Sequence, residues 1–138
     1  FWTHFDDILL CAKKYNATIS LCTSFRPASI YDCSLHNELY WIEILRIGRL
    51  VEKAKMVDVN IMIEGIGHCP INLIPNIIYE TKKICYDAPY RILAVSTDIA
   101  LGYDHISSAI ATAVAIENGA DIVTCVTRAE HIGLPGNI

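Results

Sequence analysis

At 138 residues, 53% of them apolar and with a mean hydropathy of +0.36, the chain fits one domain that can bury a sizeable core. A formal charge of −4, a pI near 5.7 and the lack of a basic patch argue against a nucleic-acid surface. The apolar runs are short and broken by Glu, Asp or Gly, well below the ~20 residues of a membrane span.

In chain order, residues 5–14 carry Phe5, Ile8, Leu9 and Ala12 at helical spacing, and Asn16 can end that helix. Residues 17–22 read as a short strand, and 23–29 as an irregular loop. A long helical pattern spans 35–56, with Leu39, Ile42, Leu45, Leu50 and Ala54 expected on its apolar side. Residues 59–64 form the next strand, and Pro70 or Asn72 opens a helix over 73–85. A third strand is expected at 91–96. An Ala-rich helix covers 104–117 and is closed by Asn118-Gly119. A fourth strand is expected at 120–126, and 128–138 is loop with at most one helical turn.

Four apolar strands separated by helices predict an α/β fold of parallel βα units. Two architectures fit: a doubly wound sheet, or about half of a (β/α)8 TIM-like barrel, since a full barrel needs ~250 residues. No internal repeat, linker or low-complexity segment divides residues 1–138, so they read as a single partial domain. The chain opens Phe1-Trp2-Thr3-His4, without Met, basic n-region or cleavage signal, which predicts no signal peptide and a start internal to a longer protein. Six cysteines lie at 11, 22, 33, 69, 85 and 125, and no two are spaced C-x2-C. They read as small buried thiols in a reducing cytoplasm rather than as disulfides or cluster ligands.

The polar residues fall after the strands. Thr23, Ser24 and Arg26 follow the first, Glu64 and His68 the second, Thr97, Asp98, Tyr103, Asp104 and His105 the third, and Thr127, Arg128, Glu130 and His131 the fourth. Sites in parallel α/β folds are built at these ends. Ile61-Met62-Ile63-Glu64-Gly65-Ile66-Gly67-His68 brings a carboxylate and an imidazole to one strand end, with glycines that admit a close approach. Together with Glu130-His131 it could supply a metal site, while the plainer reading is that each His caps a helix or bonds a backbone carbonyl. Arg26 can clamp a phosphate or carboxylate, or form an ordinary ion pair. Asp104-His105 can serve as an acid–base pair, or Asp104 can cap the following helix.

Several stretches go beyond spacing. They are Ser20-Leu21 through Phe25-Arg26-Pro27, Met62 through Pro70, Ala88-Pro89-Tyr90, Thr97-Asp98-Ile99-Ala100-Leu101-Gly102-Tyr103-Asp104-His105-Ile106, and Val126 through Pro135. In this order the chain resembles the phosphomethylpyrimidine synthase (ThiC) family of thiamine biosynthesis. The resemblance implies a non-standard radical S-adenosylmethionine lyase on a (β/α)8 barrel, with these residues in its C-terminal half. Such an enzyme converts 5-aminoimidazole ribonucleotide to 4-amino-5-hydroxymethyl-2-methylpyrimidine phosphate.

Carried over residue by residue, the resemblance makes His68 and His131 ligands of zinc or another divalent metal. Glu64 and Arg26 become substrate contacts, with Thr23, Ser24 and Phe25 standing where the family has Asp, Gly and Leu before that arginine. Arg91 stands where the family commonly has a substrate-contacting tyrosine. Ile66, Leu101 and Arg128 each replace a family proline. These departures resemble a divergent branch, and the related 5-hydroxybenzimidazole synthases use the same starting nucleotide. The family's [4Fe-4S] cluster is held by a C-x2-C-x4-C motif that does not occur in these residues, so the resemblance implies that radical chemistry needs a further segment. A non-catalytic half-barrel that binds metal or nucleotide, or pairs with a second chain such as its own copy, is the expectation from a different class. A hydrolase built on the His pair is a third.

Overall fold

The computed structural model describes residues 2–93 and 96–128, with Thr97 described by its backbone alone. Four helices and four strands alternate: α1 Phe5–Lys14, β1 Ile19–Cys22, α2 Glu38–Met56, β2 Ile61–Glu64, α3 Ile74–Ile84, β3 Tyr90–Ile92, α4 Asp104–Glu117 and β4 Ile122–Val123. Short 3-10 turns precede α1 and α3 and occur at Ile30–Asp32 and Thr97–Ile99.

Local chemistry sets the helix ends. Asp6 and Asp7 open α1 and Lys13 and Lys14 close it, matching the helix dipole. Asn16, at φ +50°, then turns the chain into the left-handed region. The Asn37 side chain caps α2 by accepting from the Tyr40 N–H at 3.2 Å. Pro75 sits in the first turn of α3, where its missing N–H costs nothing. Asn118 caps α4 and Gly119, at φ +103°, reverses the chain, as the Asn-Gly pair predicts.

The strands pair in parallel in the order β1-β2-β3-β4. Neighbours in sequence are neighbours in the sheet, so right-handed crossovers place every connecting helix on the same face. Burial follows this winding. Leu21, Ile61, Ile63, Tyr90 and Ile92 are buried with Ile44, Ile47, Val51, Ile74, Ile78 and Ala111 from the helices. The alternate residues Ser20 and Cys22 are exposed, and Met62, Glu64 and Arg91 are half-buried. A doubly wound sheet would place helices on both faces, so the order favours a singly wound sheet.

Three expectations need correction. Leu39, Ile42 and Leu45 do not lie on the core side of α2. They are 57, 46 and 55% exposed, and the buried side is Tyr40, Ile44, Ile47, Gly48, Leu50, Val51 and Ala54. The helix carries two apolar stripes, and periodicity alone picked the wrong one over its first half. With Trp2 and Phe25, Leu39 and Ile42 line an open groove of about 740 Å³ beside β1, at the sheet edge. The third and fourth strands are shorter than expected, Tyr90–Ile92 and Ile122–Val123, and Ser96, expected within the third, is left-handed at φ +61°. Of the cysteines, Cys33, Cys69 and Cys85 are buried, but Cys11, Cys22 and Cys125 are exposed; all six are free thiols.

Gly65 ends β2 for a steric reason. A Cβ there would lie 2.0 Å from the Tyr90 ring, whose buried hydroxyl accepts the Ile66 N–H at 3.1 Å. Burial pushes the Tyr90 phenol up to about 12, so it stays protonated. Gly65→Ala should therefore cost about 1–3 kcal/mol, the usual scale of overpacking. Urea unfolding measures this, and an unchanged midpoint would show that the ring can move aside.

Candidate active site

The parallel register sets Cys22, Glu64, Arg91 and Ile122 in one row across the sheet. Residues of one row point to the same face, here the one away from the helix core. Glu64 is the centre of this row. Its Oε1 accepts from Arg26 Nη1 at 2.8 Å, and Arg91 Nη1 lies 3.6 Å from Oε2. The Cys22 thiol also points at Oε1, at 3.7 Å. Arg91 is aimed by its Nε, which donates to Thr124 Oγ1 at 3.1 Å, just past β4. The hydrogen bond from Arg26 and the charges of Arg26 and Arg91 hold the Glu64 carboxyl below its ordinary range despite partial burial. Two guanidiniums against one carboxylate leave a net positive seat that suits an anionic or hydrogen-bonding small molecule.

The loop after β1 is built to present Arg26. Glu43 of α2 accepts the Ser24 and Phe25 N–H groups, both at 2.9 Å, one on each carboxylate oxygen. Thr23 is buried and its hydroxyl donates to the Glu64 carbonyl at 3.4 Å, fastening the loop to β2. Ser24 and Phe25 are exposed. Arg26 forms an ion pair with Glu64, and its guanidinium stays partly accessible.

His68 sits four residues past Glu64, on the loop after β2. Its Nδ1 lies 2.5 Å from Asp98 Oδ1, and Asp98 Oδ2 accepts the Ile30 N–H at 2.6 Å. The Ser96 hydroxyl donates to the Cys69 carbonyl, so the loop after β3 grips the loop after β2 at two successive residues. Asp104 and His105 do not form a pair that shares an environment. Asp104 is buried as the first residue of α4, His105 is exposed, and the helix cap is Tyr103, not Asp104. Glu130 and His131 lie outside the described residues.

Sequence reasoning missed Glu43, Asp98 as a partner of His68, and Thr124. Asp98 was visible as a polar residue after a strand. Glu43 was not, because a glutamate on a helix face signals nothing until its loop is placed.

Among the described residues no cluster of three His, Cys, Asp or Glu side chains could hold a metal ion. The donor chemistry at His68 nevertheless fits one metal ligand, because metal-bound imidazoles are habitually backed by a carboxylate on the other nitrogen. The cysteines do not fit a three-thiolate cluster: Cys33, Cys69 and Cys85 are buried, while Cys11, Cys22 and Cys125 are exposed. Nor is any described helix long and apolar enough to cross a membrane.

A four-stranded parallel sheet of βα units with a charged cluster at its strand ends defines the class as α/β. The model of the radical SAM ThiC family matches residues 1–137, and the chain belongs to that family. It is 44% identical over 137 residues to a phosphomethylpyrimidine synthase of Pelotomaculum thermopropionicum, covering 98% of this chain and 31% of that protein. Identity is 43% over 135 residues to the synthase of a Thermoanaerobacter species, with 97% and 31% covered. For the synthase of Clostridium tetani it is 43% over 136 residues, with 98% and 29% covered. The chain thus spans about a third of the length of the curated relatives it matches. As a radical SAM family, its complete enzymes use S-adenosylmethionine and a [4Fe-4S] cluster.

The lowered Glu64 carboxyl gives a pH signature. A depressed folded-state pKa stabilises the protein above the unfolded value of about 4.3. That contribution is lost as pH falls through the folded value. Chemical denaturation between about pH 6 and pH 3 should show a decline that is shallower in Glu64→Gln. Identical slopes would mean that Glu64 gains nothing from Arg26 and Arg91.

Proposed function

We propose that this chain is part of a phosphomethylpyrimidine synthase and supplies about half of its (β/α)8 barrel. The observation that carries the proposal is the Arg26–Glu64–Arg91 cluster on the sheet face away from the helix core, in a chain that belongs to the ThiC family. A barrel encloses that face and collects its strand ends into one mouth. The exposed edge of β1 and the apolar groove beside it support continuation of the barrel on that side.

In the complete enzyme, Arg26, Glu64 and Arg91 bind 5-aminoimidazole ribonucleotide, and Thr23, Ser24 and Phe25 form the substrate loop that presents Arg26. Arg26 and Arg91 supply forked donors for its anionic and carbonyl-like oxygens, and Glu64 accepts from its N–H or hydroxyl groups. Glu43 keeps Arg26 in place by holding the loop backbone. His68 and His131 hold zinc or another divalent metal. When bound, that metal supplies electrostatic fixing of substrate or of the methionine part of S-adenosylmethionine. The radical chemistry belongs to the cofactors, while the residues here orient the nucleotide and hold its charge. The enzyme acts in the cytoplasm on a small molecule, as a lyase of thiamine biosynthesis.

Arg91 favours one second reading. A cation where the family commonly has a phenol changes the donor set around the substrate, which suits a branch whose product differs, such as 5-hydroxybenzimidazole. Association with a second chain, in a homodimer or as the other half of a barrel, is supported by the exposed Leu39–Ile42–Leu45 stripe.

Two measurements test the proposal. The complete enzyme, reconstituted anaerobically, should form 5′-deoxyadenosine with aminoimidazole ribonucleotide and release the pyrimidine phosphate; product analysis decides between the two readings, and no nucleotide-dependent 5′-deoxyadenosine would refute both. Zinc content should fall to background in the His68→Ala, His131→Ala double variant, and unchanged metal would remove the metal assignment.

A further inference from the structure

We propose that Asp98 is a positioning residue: it fixes the tautomer and orientation of His68 and so decides which ring nitrogen faces the ligand. Its effect on metal affinity rests on the assignment of His68 as a metal ligand; its effect on the tautomer stands without it.

The geometry is direct. Asp98 Oδ1 is 2.5 Å from His68 Nδ1, and the two side chains are only 18 and 16% exposed. An ionised carboxylate can only accept, so the proton in this contact sits on Nδ1. In a neutral imidazole one nitrogen carries the proton, which leaves the lone pair on Nε2. The second Asp98 oxygen is not idle: it accepts the Ile30 N–H at 2.6 Å, which stops the carboxylate from rotating.

Asp98 itself is rigidly delivered. It lies in the 3-10 turn Thr97–Ile99, entered through Ser96 in the left-handed region. Left-handed backbone is costly for a residue with a side chain. Here it is secured by burial of Ser96 and by its hydroxyl bond to the Cys69 carbonyl, one residue beyond His68. One carboxylate therefore joins the loops after β1, β2 and β3, through Ile30, His68 and its own backbone. A residue needed only to cap its own turn would not reach across two neighbouring loops.

The test uses ¹⁵N-histidine spectra of the protein at a pH where imidazoles are neutral, with the His68 signal identified by its loss in His68→Gln. The wild type should show the Nδ1–H form. Asp98→Ala should move His68 toward the Nε2–H form that neutral imidazole favours in water. Zinc affinity, measured by chelator competition, should fall about 10–100-fold in Asp98→Ala, the range for loss of a carboxylate behind a ligating histidine. Should Asp98→Ala fail to fold, the isosteric Asp98→Asn carries the test, with zinc binding about tenfold weaker expected from loss of the charge. A tautomer unchanged in Asp98→Ala, or wild-type zinc affinity in Asp98→Asn when His68→Ala abolishes binding, overturns the proposal. If His68→Ala itself binds zinc as the wild type does, the metal assignment fails, and the tautomer result alone decides the role of Asp98.

Discussion

The site depends on the register of a parallel sheet. Cys22 pairs with Glu64, and Glu64 with Arg91, so three side chains of different chemistry project from one row on one face. A shift of one residue in any strand would turn its member of the row into the helix-packed core. Burying Glu64 or Arg91 there without partners would cost far more than the row contributes. The register is held by the opposite face, where Leu21, Ile63, Tyr90 and Ile92 are fully or almost fully buried. Asp121 adds a lock, accepting the Tyr90 N–H and the Lys82 ammonium, both at 2.8 Å, which joins β3 and α3 to the start of β4. Core packing thus fixes the polar geometry on the other side of the sheet.

Sequential strand order has a second consequence. It gathers every βα loop at one edge, so residues remote in sequence meet: Arg26 and Glu64 are 38 positions apart, and Ile30 and Asp98 are 68. The fold supplies this proximity, and the loops refine it through Glu43, Thr23 and Asp98. Catalytic sets on such scaffolds can diverge at one strand end without disturbing the rest. Arg91, in β3, is aimed by Thr124, just past β4.

Much of this was legible in the residues. The helices at 5–14 and 104–117 agree with the structure at both ends, because Asp-Asp and Lys-Lys flank the first and Asn118-Gly119 closes the second. Glu64, Arg26 and Arg91 were identified and are in contact in the structure. What failed did so for physical reasons. Leu39, Ile42 and Leu45 of α2 are apolar at helical spacing but exposed, the first two lining the groove beside β1, because spacing cannot distinguish a core stripe from a stripe on another surface. Ser96 follows an apolar run yet is left-handed, a conformation secured by a tertiary hydrogen bond. The partnership of Asp98 with His68 required the loops to be placed, since thirty residues separate them.

The Glu64-centred row is the nucleotide seat proposed above. Calorimetric titration of the complete enzyme with 5-aminoimidazole ribonucleotide, comparing the wild type with Glu64→Ala, tests it most directly. Affinity should be weaker by about tenfold or more in the variant, the scale of a lost hydrogen bond to a charged group at ~1.5–3 kcal/mol. Equal affinity in a folded Glu64→Ala protein would contradict the claim.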